Sequence, residues 1–131
     1  MRKYHHLGIP TTTPRPDETY LAGFGVFTSG YESSPYGIEW MRFEADSPLP
    51  ELVKTVPHVA FEVDDLAREL AGHELLIAPN SPSAGVTVAF IVDNGAPVEL
   101  LCIDRTAEAD DIAVDSSGAA RRGCGSAGKG R

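Results

Sequence analysis

Basic residues are scarce in this 131-residue chain, which has 11 Lys and Arg against 19 Asp and Glu and a formal net charge of −8 at pH 7. Nucleic acids and anionic membranes are bound through basic surfaces, so this balance argues against either partner. No apolar run approaches the length of a membrane span, and the N-terminus lacks the apolar core of a secretory signal. Cys102 and Cys124 are too few for a disulfide framework. We therefore expect a cytoplasmic protein with neither nucleic acid nor membrane as a partner.

The chain also lacks the motifs of several common reaction classes. It contains no Gly-rich phosphate loop, Ser-His-Asp arrangement or Cys-x-x-Cys pair. Nucleophilic catalysis by Cys102 is disfavoured, because strand alternation turns its side chain away from that of Glu99. The chemistry-bearing residues that remain are histidines and carboxylates.

The clearest local pattern lies in the second half of the chain. Residues 58–63 alternate with a period of two, which is typical of a half-buried strand. Asp64 then has the chemistry of a helix N-cap, and a short helix is predicted over 65–71, ending at Gly72. Further strands are predicted over 74–78, 86–92 and 97–103. An Asn-Gly hairpin turn is predicted between the last two of them. The order expected here is β-α-β-β-β.

The first half repeats this order with a shortened connection. A Pro-rich loop at 11–18 stands where the second half has its helix. The segment 20–31 is predicted as one strand, or as two with a bulge, because glycines interrupt it. The other predicted elements are strands at 5–10 and 38–44 and a helical turn at 49–54.

The domain organisation follows from a change of composition near the end. Residues 106–131 are rich in Ala, Gly, Ser and scattered charge and have no apolar periodicity. Such a segment cannot bury enough surface to offset the entropy of ordering it. We expect one domain over 1–104, with modules at about 1–47 and 56–104, and a flexible tail over 105–131.

The two halves form a weak internal repeat that gathers particular side chains. Each half opens with a strand carrying a histidine, His6 or His58, and closes with a strand carrying a glutamate, Glu39 or Glu99. The histidine-to-glutamate separation is 33 positions in the first half and 41 in the second. The difference is about two helical turns, which the missing helix accounts for. Repeats of one supersecondary unit pair to bury a shared face, and here that face would bring the four residues together.

Two imidazoles and two carboxylates form a coherent donor set for a divalent metal. Neutral imidazole suits Zn, Ni, Co and Fe(II), and carboxylate adds hard oxygen donors that also suit Mn. Four protein ligands leave an octahedral ion two positions for neighbouring substrate oxygens. Without a cation, facing carboxylates in an apolar barrel would repel each other and be costly to bury. We therefore predict His6, Glu39, His58 and Glu99 as metal ligands.

Each of these residues also has an ordinary structural interpretation. A lone histidine such as His58 is more often solvent-facing or hydrogen-bonded than a ligand. Glu99 shares a predicted strand face with apolar residues, yet a sheet face carrying Glu can simply be wet. Glu39 could instead form a surface salt bridge with Arg2 or Arg42.

His5 competes with His6 for the first histidine position. Strand alternation predicts that the two point to opposite faces, so that only one can reach the site. His6 is favoured, because its spacing to Gly8 matches the spacing from the second histidine to a small residue in the other half. Glu62 lies on the predicted face of His58 and is open to three roles: a partner of a ligand, a general base, or a rim carboxylate.

The chain resembles the vicinal oxygen chelate superfamily, which includes glyoxalase I, methylmalonyl-CoA epimerase, extradiol dioxygenases and bleomycin-resistance proteins. The stretches that carry the resemblance are residues 6–9, 58–66 and 93–101. The resemblance implies an α+β fold in which paired βαβββ modules form an open, cup-shaped sheet, usually within dimers. In the glyoxalase and epimerase branches two His and two Glu bind a metal, and the four predicted ligands occupy the matching positions. The first module departs from the family by lacking its helix.

The resemblance implies one leading function and two alternatives. The leading prediction is a metal-dependent isomerase, epimerase or lyase of the glyoxalase type, whose small substrate chelates the ion through adjacent oxygens. In this prediction Glu39 or Glu99 is catalytic and moves a proton. The first alternative is a non-catalytic, ligand-sequestering protein of the bleomycin-resistance type, in which at least two of the four donors would face solvent. The second is an extradiol-type oxygenase, whose family pattern uses two His and one Glu. A homodimer with a small-molecule partner is expected.

Overall fold

The computed structural model describes residues 1–105, in which eight strands form one curled sheet. The strands are β1 (Arg2–Pro10), β2 (Thr19–Leu21), β3 (Val26–Ser29), β4 (Ile38–Phe43), β5 (His58–Val63), β6 (Glu74–Ser83), β7 (Val86–Asp93) and β8 (Ala96–Ile103). The helices are α1 (Glu51–Thr55) and α2 (Leu66–Leu70), with short 3-10 helices at Ala22–Phe24 and Tyr31–Ser33. None of the helices in this part of the chain is long and apolar enough to cross a membrane. Apart from Arg105, the predicted flexible tail lies outside the described residues.

The sheet has the symmetric strand order β2-β3-β4-β1-β5-β8-β7-β6. In each half the first strand pairs in parallel with the fourth, β1 with β4 and β5 with β8. The two halves join through the antiparallel pairing of β1 with β5. The predicted fold class, an α+β cup of paired βαβββ modules, is therefore confirmed. Both modules come from one chain, so the cup does not need a second subunit to close it.

Within residues 1–105, only the second module has a helix between its first and second strands, namely α2 between β5 and β6. It begins after Asp65, which has extended backbone angles and whose carboxylate accepts a hydrogen bond from the N–H of Arg68 at 3.2 Å. The prediction of Asp64 as the N-cap was wrong by one residue, because the strand-to-helix change of backbone angles falls at the second aspartate. The loop at 11–18 contains no helix, which confirms the shortened first module.

Two strand predictions change in the structure. The segment 20–31, predicted as one strand or as two with a bulge, holds β3 and most of β2, which the 3-10 helix Ala22–Phe24 separates in place of a bulge. That helix ends at Gly25, whose φ of 61° lies in the left-handed region. Strand β6, predicted to end at residue 78, continues to Ser83, because Asn80 and Ser83 still pair with β7 across register shifts. The predicted Asn-Gly hairpin is present, with positive φ at both turn residues.

The two faces of the sheet carry different apolar clusters. Helix α2 packs on one face through Leu66, which is 0% exposed and whose burial contributes about 2 kcal/mol. The rest of that cluster comprises Val63, Ala89, Ile91, Leu100 and Cys102. The other face has a smaller cluster of Ala60, Val88 and Leu101. Glu99 alternates with Leu100 and therefore lies on the second face, beside this smaller cluster.

Candidate metal centre

Two neighbouring rows of side chains cross the central strands on one face of the sheet. In the first row Gly8 of β1 lies between Glu39 of β4 and His58 of β5. In the second row Ala60 of β5 lies between His6 of β1 and Glu99 of β8. The rows are two residues apart along each strand, so all their side chains share one face. The pairing thus places each histidine beside the small residue of the opposite strand, with a glutamate beyond it.

The side chain of His58 lies directly over the backbone of Gly8. A Cβ added at Gly8 would be 2.3 Å from Cε1 of His58, a contact that no real side chain can make. The imidazole is only 1% exposed, and it packs edge-to-face against Phe90 with ring centroids 5.1 Å apart. Gly8 is therefore a residue on which the site depends. In the sequence, Gly8 is marked only by its spacing from His6, which does not reveal this contact.

The histidines and one glutamate form a compact buried group. Nε2 of His58 lies 3.0 Å from Oε1 of Glu99, and Nε2 of His6 lies 3.2 Å from the same oxygen. The ligand atoms of the three residues lie within 4.8 Å of one another. His6, His58 and Glu99 together form a candidate metal site.

Glu39 lies beside this group and outside its compact set of ligand atoms. Its Oε1 is 3.5 Å from Nε2 of His6, and its side chain is 22% exposed, compared with 12% for Glu99. The two arginines considered as its alternative partners pair elsewhere, Arg2 with Glu69 and Arg42 with Glu18. The structure thus brings together three of the four predicted ligands and places the fourth next to one of them. Their roles in metal binding and catalysis stay predictions.

Comparisons with known proteins identify the architecture. No family model matches the chain, and no curated protein matches it. Among solved structures, a hypothetical protein from Bacillus halodurans C-125 has a TM-score of 0.58 and 19% identity, over 76% of this chain and 93% of that one. Methylmalonyl-CoA epimerase from Mycobacterium tuberculosis has a TM-score of 0.54 and 20% identity, over 76% of this chain and 86% of that one. The chain has the vicinal oxygen chelate fold. At these identities the similarity shows the fold alone, and it confirms the resemblance at that level.

The vicinal oxygen chelate fold here surrounds Glu99 with hydrogen-bond donors. Burial raises the pKa of Glu99, but hydrogen bonds from His58 and His6 outweigh it and lower the pKa to about 2. Burial lowers the pKa of His6, but its hydrogen bond to Glu99 and the charges of Glu99 and Glu39 outweigh burial, so the pKa is raised. Burial raises the pKa of Glu39, with a further contribution from the charge of Glu99. The group therefore holds one firmly ionised carboxylate, which the two imidazoles stabilise by hydrogen bonds.

Strand alternation predicted that His5 and His6 point to opposite faces, but in the structure their side chains are in contact. Tyr4 and His6 pair with consecutive residues of β5, so His5 is an extra residue in a bulge and the alternation is broken there. Nδ1 of His5 lies 2.8 Å from Nδ1 of His6, and the ring of His5 stacks on Tyr31. One of the two nitrogens donates to the other, which holds Nε2 of His6 towards Glu99. No sequence pattern signalled this contact, because a bulge is set by pairing between strands.

Glu62 belongs to the rim of the vicinal oxygen chelate cup. Its carboxylate pairs with the guanidinium of Arg105, with Oε2 2.5 Å from Nη1. Of the three roles left open for Glu62, this pairing agrees with that of a rim carboxylate.

The donor set fits a divalent cation. Two imidazole nitrogens converge on one carboxylate oxygen, although a single imidazolium would already neutralise that carboxylate. The combination of two nitrogen donors and one oxygen donor suits Zn, Ni, Co or Fe(II). Nδ1 of His58 is buried without a hydrogen-bond partner among the described residues, so Nε2 alone fixes the polar contacts of this ring. The residues that could hold the ion are His6, His58 and Glu99, with Glu39 adjacent.

A cavity of about 160 Å³ ends at this cluster. Its walls include His6, Glu39 and Glu99, and the rest of the lining is mainly apolar. Apolar walls exclude water and strengthen electrostatic interactions inside the cavity. The arrangement can therefore bind a small molecule with its polar atoms against the histidines and carboxylates.

Proposed function

We propose that this chain is a divalent-metal-dependent enzyme of the glyoxalase type, an isomerase, epimerase or lyase, acting on a small substrate with adjacent oxygens. The observation that carries the proposal is the convergence of Nε2 of His6 and His58 on Oε1 of Glu99 at the end of a cavity. We also propose that this chain is cytoplasmic and forms a homodimer, and these two proposals rest on the sequence and the family resemblance alone.

His6, His58 and Glu99 would hold the ion, with Glu39 as the fourth candidate ligand. A bound divalent cation supplies Lewis acidity at two adjacent substrate oxygens. The chain itself supplies the proton acceptor. Glu39 lines the cavity, and burial raises its pKa towards the range in which a carboxylate is an effective base. In this proposal Glu39 removes a proton beside the substrate carbonyl and returns it at the new position, which is the step that isomerases and epimerases share.

The burial of the donors favours this proposal over the ligand-sequestering protein. For that alternative we expected at least two of the four side chains to face solvent. The two histidines are 6% and 1% exposed, and both glutamates are largely covered. Burying such groups is costly unless they are paired or coordinated, so their burial supports a cation-binding role.

Metal analysis with thermal unfolding tests the proposal. Metal-free protein titrated with Ni²⁺, Zn²⁺, Co²⁺ or Mn²⁺ should take up one ion per chain and unfold at a higher temperature, because the ion binds the folded state. Glu99→Ala should abolish this metal-linked stabilisation. Glu74→Ala, at the exposed start of β6, is the matched control and should keep it. Metal-free wild-type protein that takes up none of these ions would rule out the proposed function.

The position of Glu39 favours one second candidate, an extradiol-type oxygenase. The compact group contains two histidines and one carboxylate, the donor set typical of non-haem Fe(II) oxygenases. Glu39→Gln separates the two candidates. Retained Fe(II) binding with oxygen consumption on addition of catechol would favour the oxygenase. Weakened metal binding, or loss of proton exchange with metal retained, would favour the glyoxalase type.

A further inference from the structure

Two cavities of different character meet at the candidate metal centre. The cavity of about 160 Å³ is largely apolar, with Phe24, Val26, Met41, Val53, Val88 and Phe90 among its walls. A second cavity of about 260 Å³ is polar, and its walls include Asp17, Tyr31 and Glu32. Thr28 and Glu39 line both. A ligand held at the histidines and glutamates therefore has an apolar surface on one side and a polar, acidic surface on the other.

Neither cavity has a Lys or Arg in its lining among residues 1–105. The basic side chains closest in sequence to the lining residues contact other groups. Arg42 pairs with Glu18 at 2.7 Å, and Nζ of Lys54 donates to the carbonyl of Ser47 at 3.0 Å. The guanidinium of Arg15 lies over the ring of Trp40, with Nη2 3.9 Å from a Cβ added at Gly30 at the edge of the polar cavity, but Arg15 itself lines neither cavity. Among the described residues that line the two cavities, His6 alone can carry a positive charge, and it lies against Glu99; Asp17 and Glu32 line the polar cavity with no basic side chain in that lining.

The size of the apolar cavity limits the group it can hold. A cavity of roughly 150 Å³ lined by aliphatic and aromatic side chains accommodates benzene. The present cavity, at about 160 Å³, matches a single ring or a branched aliphatic group of that size.

We infer that the substrate is a small compound carrying a ring-sized apolar group and no phosphate or carboxylate apart from its metal-chelating oxygens. Hydroxyl or amine donors on its other side would meet the carboxylates of Asp17 and Glu32, which accept hydrogen bonds. This inference rests on the proposed function, since it places the substrate at the same cluster. It also separates this chain from the epimerase of similar fold, because a coenzyme A ester carries phosphates for which these cavities offer no counter-charge.

Binding measurements with probes of different charge test the inference on the full-length chain. With Ni²⁺-loaded protein, benzohydroxamic acid should raise the unfolding temperature and bind at least about tenfold more tightly than acetyl-CoA. Glu32→Lys should reduce the difference in affinity between the two compounds, because the added positive charge improves acetyl-CoA binding. Glu74→Lys makes the same charge change outside both cavities and should leave the difference unchanged.

A metal-free arm keeps this test separate from the proposed function. Benzyl alcohol and benzoate have similar size and differ in charge, and benzyl alcohol should bind at least about tenfold more tightly when both are followed by NMR. If Ni²⁺ is not taken up, the proposed function fails and this arm still decides the charge preference. If Ni²⁺ is taken up but acetyl-CoA or benzoate binds as tightly as its uncharged counterpart, the inference is overturned and the proposed function stands.

Discussion

Replacing Gly8 with alanine tests whether the bare backbone of β1 holds the ring of His58 in place. The added Cβ would lie 2.3 Å from Cε1 of His58 and 2.8 Å from both ring nitrogens. The ring has little room to yield, because it is 1% exposed and packs edge-to-face against Phe90. Overpacking of this kind costs about 1–3 kcal/mol of folding free energy, which urea unfolding of the metal-free protein would measure.

The same substitution should weaken metal binding more than it weakens the fold. Displacing the ring of His58 moves its Nε2 away from Oε1 of Glu99, from which it is now 3.0 Å distant. We expect the affinity for Ni²⁺ to fall about 10–100-fold, the range found when residues that support metal ligands are altered. Calorimetric titration of the metal-free Gly8→Ala protein with Ni²⁺ measures this loss.

Gly23→Ala is the matched control. A Cβ added at Gly23 meets no atom within 4 Å, so this variant should keep the wild-type affinity for Ni²⁺. A double variant then isolates the cause: in a His58→Ala background, Gly8→Ala should cost much less stability than it does in the wild type, because its clash partner is gone. A Gly8→Ala protein that binds Ni²⁺ as tightly as the wild type would refute the reasoning.

Two further predictions concern Glu99 and the cap of α2. The pKa of Glu99 falls from 4.5 to about 2 on folding, so its ionised form stabilises the fold above pH 4.5 and this contribution disappears as the pH falls towards 2. Urea unfolding of the metal-free proteins should show that the wild type has a free energy of unfolding at most about 3 kcal/mol higher than that of Glu99→Gln, and this difference should shrink across that pH window. A difference that does not change with pH would contradict the assignment. Asp65→Ala should lower the free energy of unfolding by about 1 kcal/mol by removing the N-cap, and Asp64→Ala should cost less than half as much. Equal losses in thermal or urea unfolding would show that Asp65 is not the cap.

The parts of the fold that the sequence predicted are those governed by local periodicity. Strand β5 has the predicted bounds, 58–63, because its alternation is unbroken. The placement of His58, Glu99 and His6 on one face followed from the same alternation and from the internal repeat. The pairing of β1 with β5 then brings the two halves together about an approximate twofold relation, as the repeat indicated.

The features that escaped prediction depend on contacts between strands. The bulge at His5 arises from the register of β1 on β5, and no residue in the sequence marks it. The close approach of His58 to Gly8 depends on the same register, although a glycine at that position is a visible signal. The choice between Asp64 and Asp65 as N-cap was beyond local reasoning, because either carboxylate has the required chemistry and only the backbone angles decide.

The shortened first module bears on the cavities and leaves the candidate metal centre intact. The four predicted ligands lie on β1, β4, β5 and β8, the central strands, whereas α2 packs on the opposite face of the sheet. A helix on that face contributes no donor, so its loss from the first module removes none. The region around the shortened connection instead shapes the cavities, with Asp17 in the polar one and Leu21 and Phe24 in the apolar one. Substitutions at these three positions should therefore alter which small molecules bind without altering metal affinity, because cleft and donor set rest on different segments of the chain.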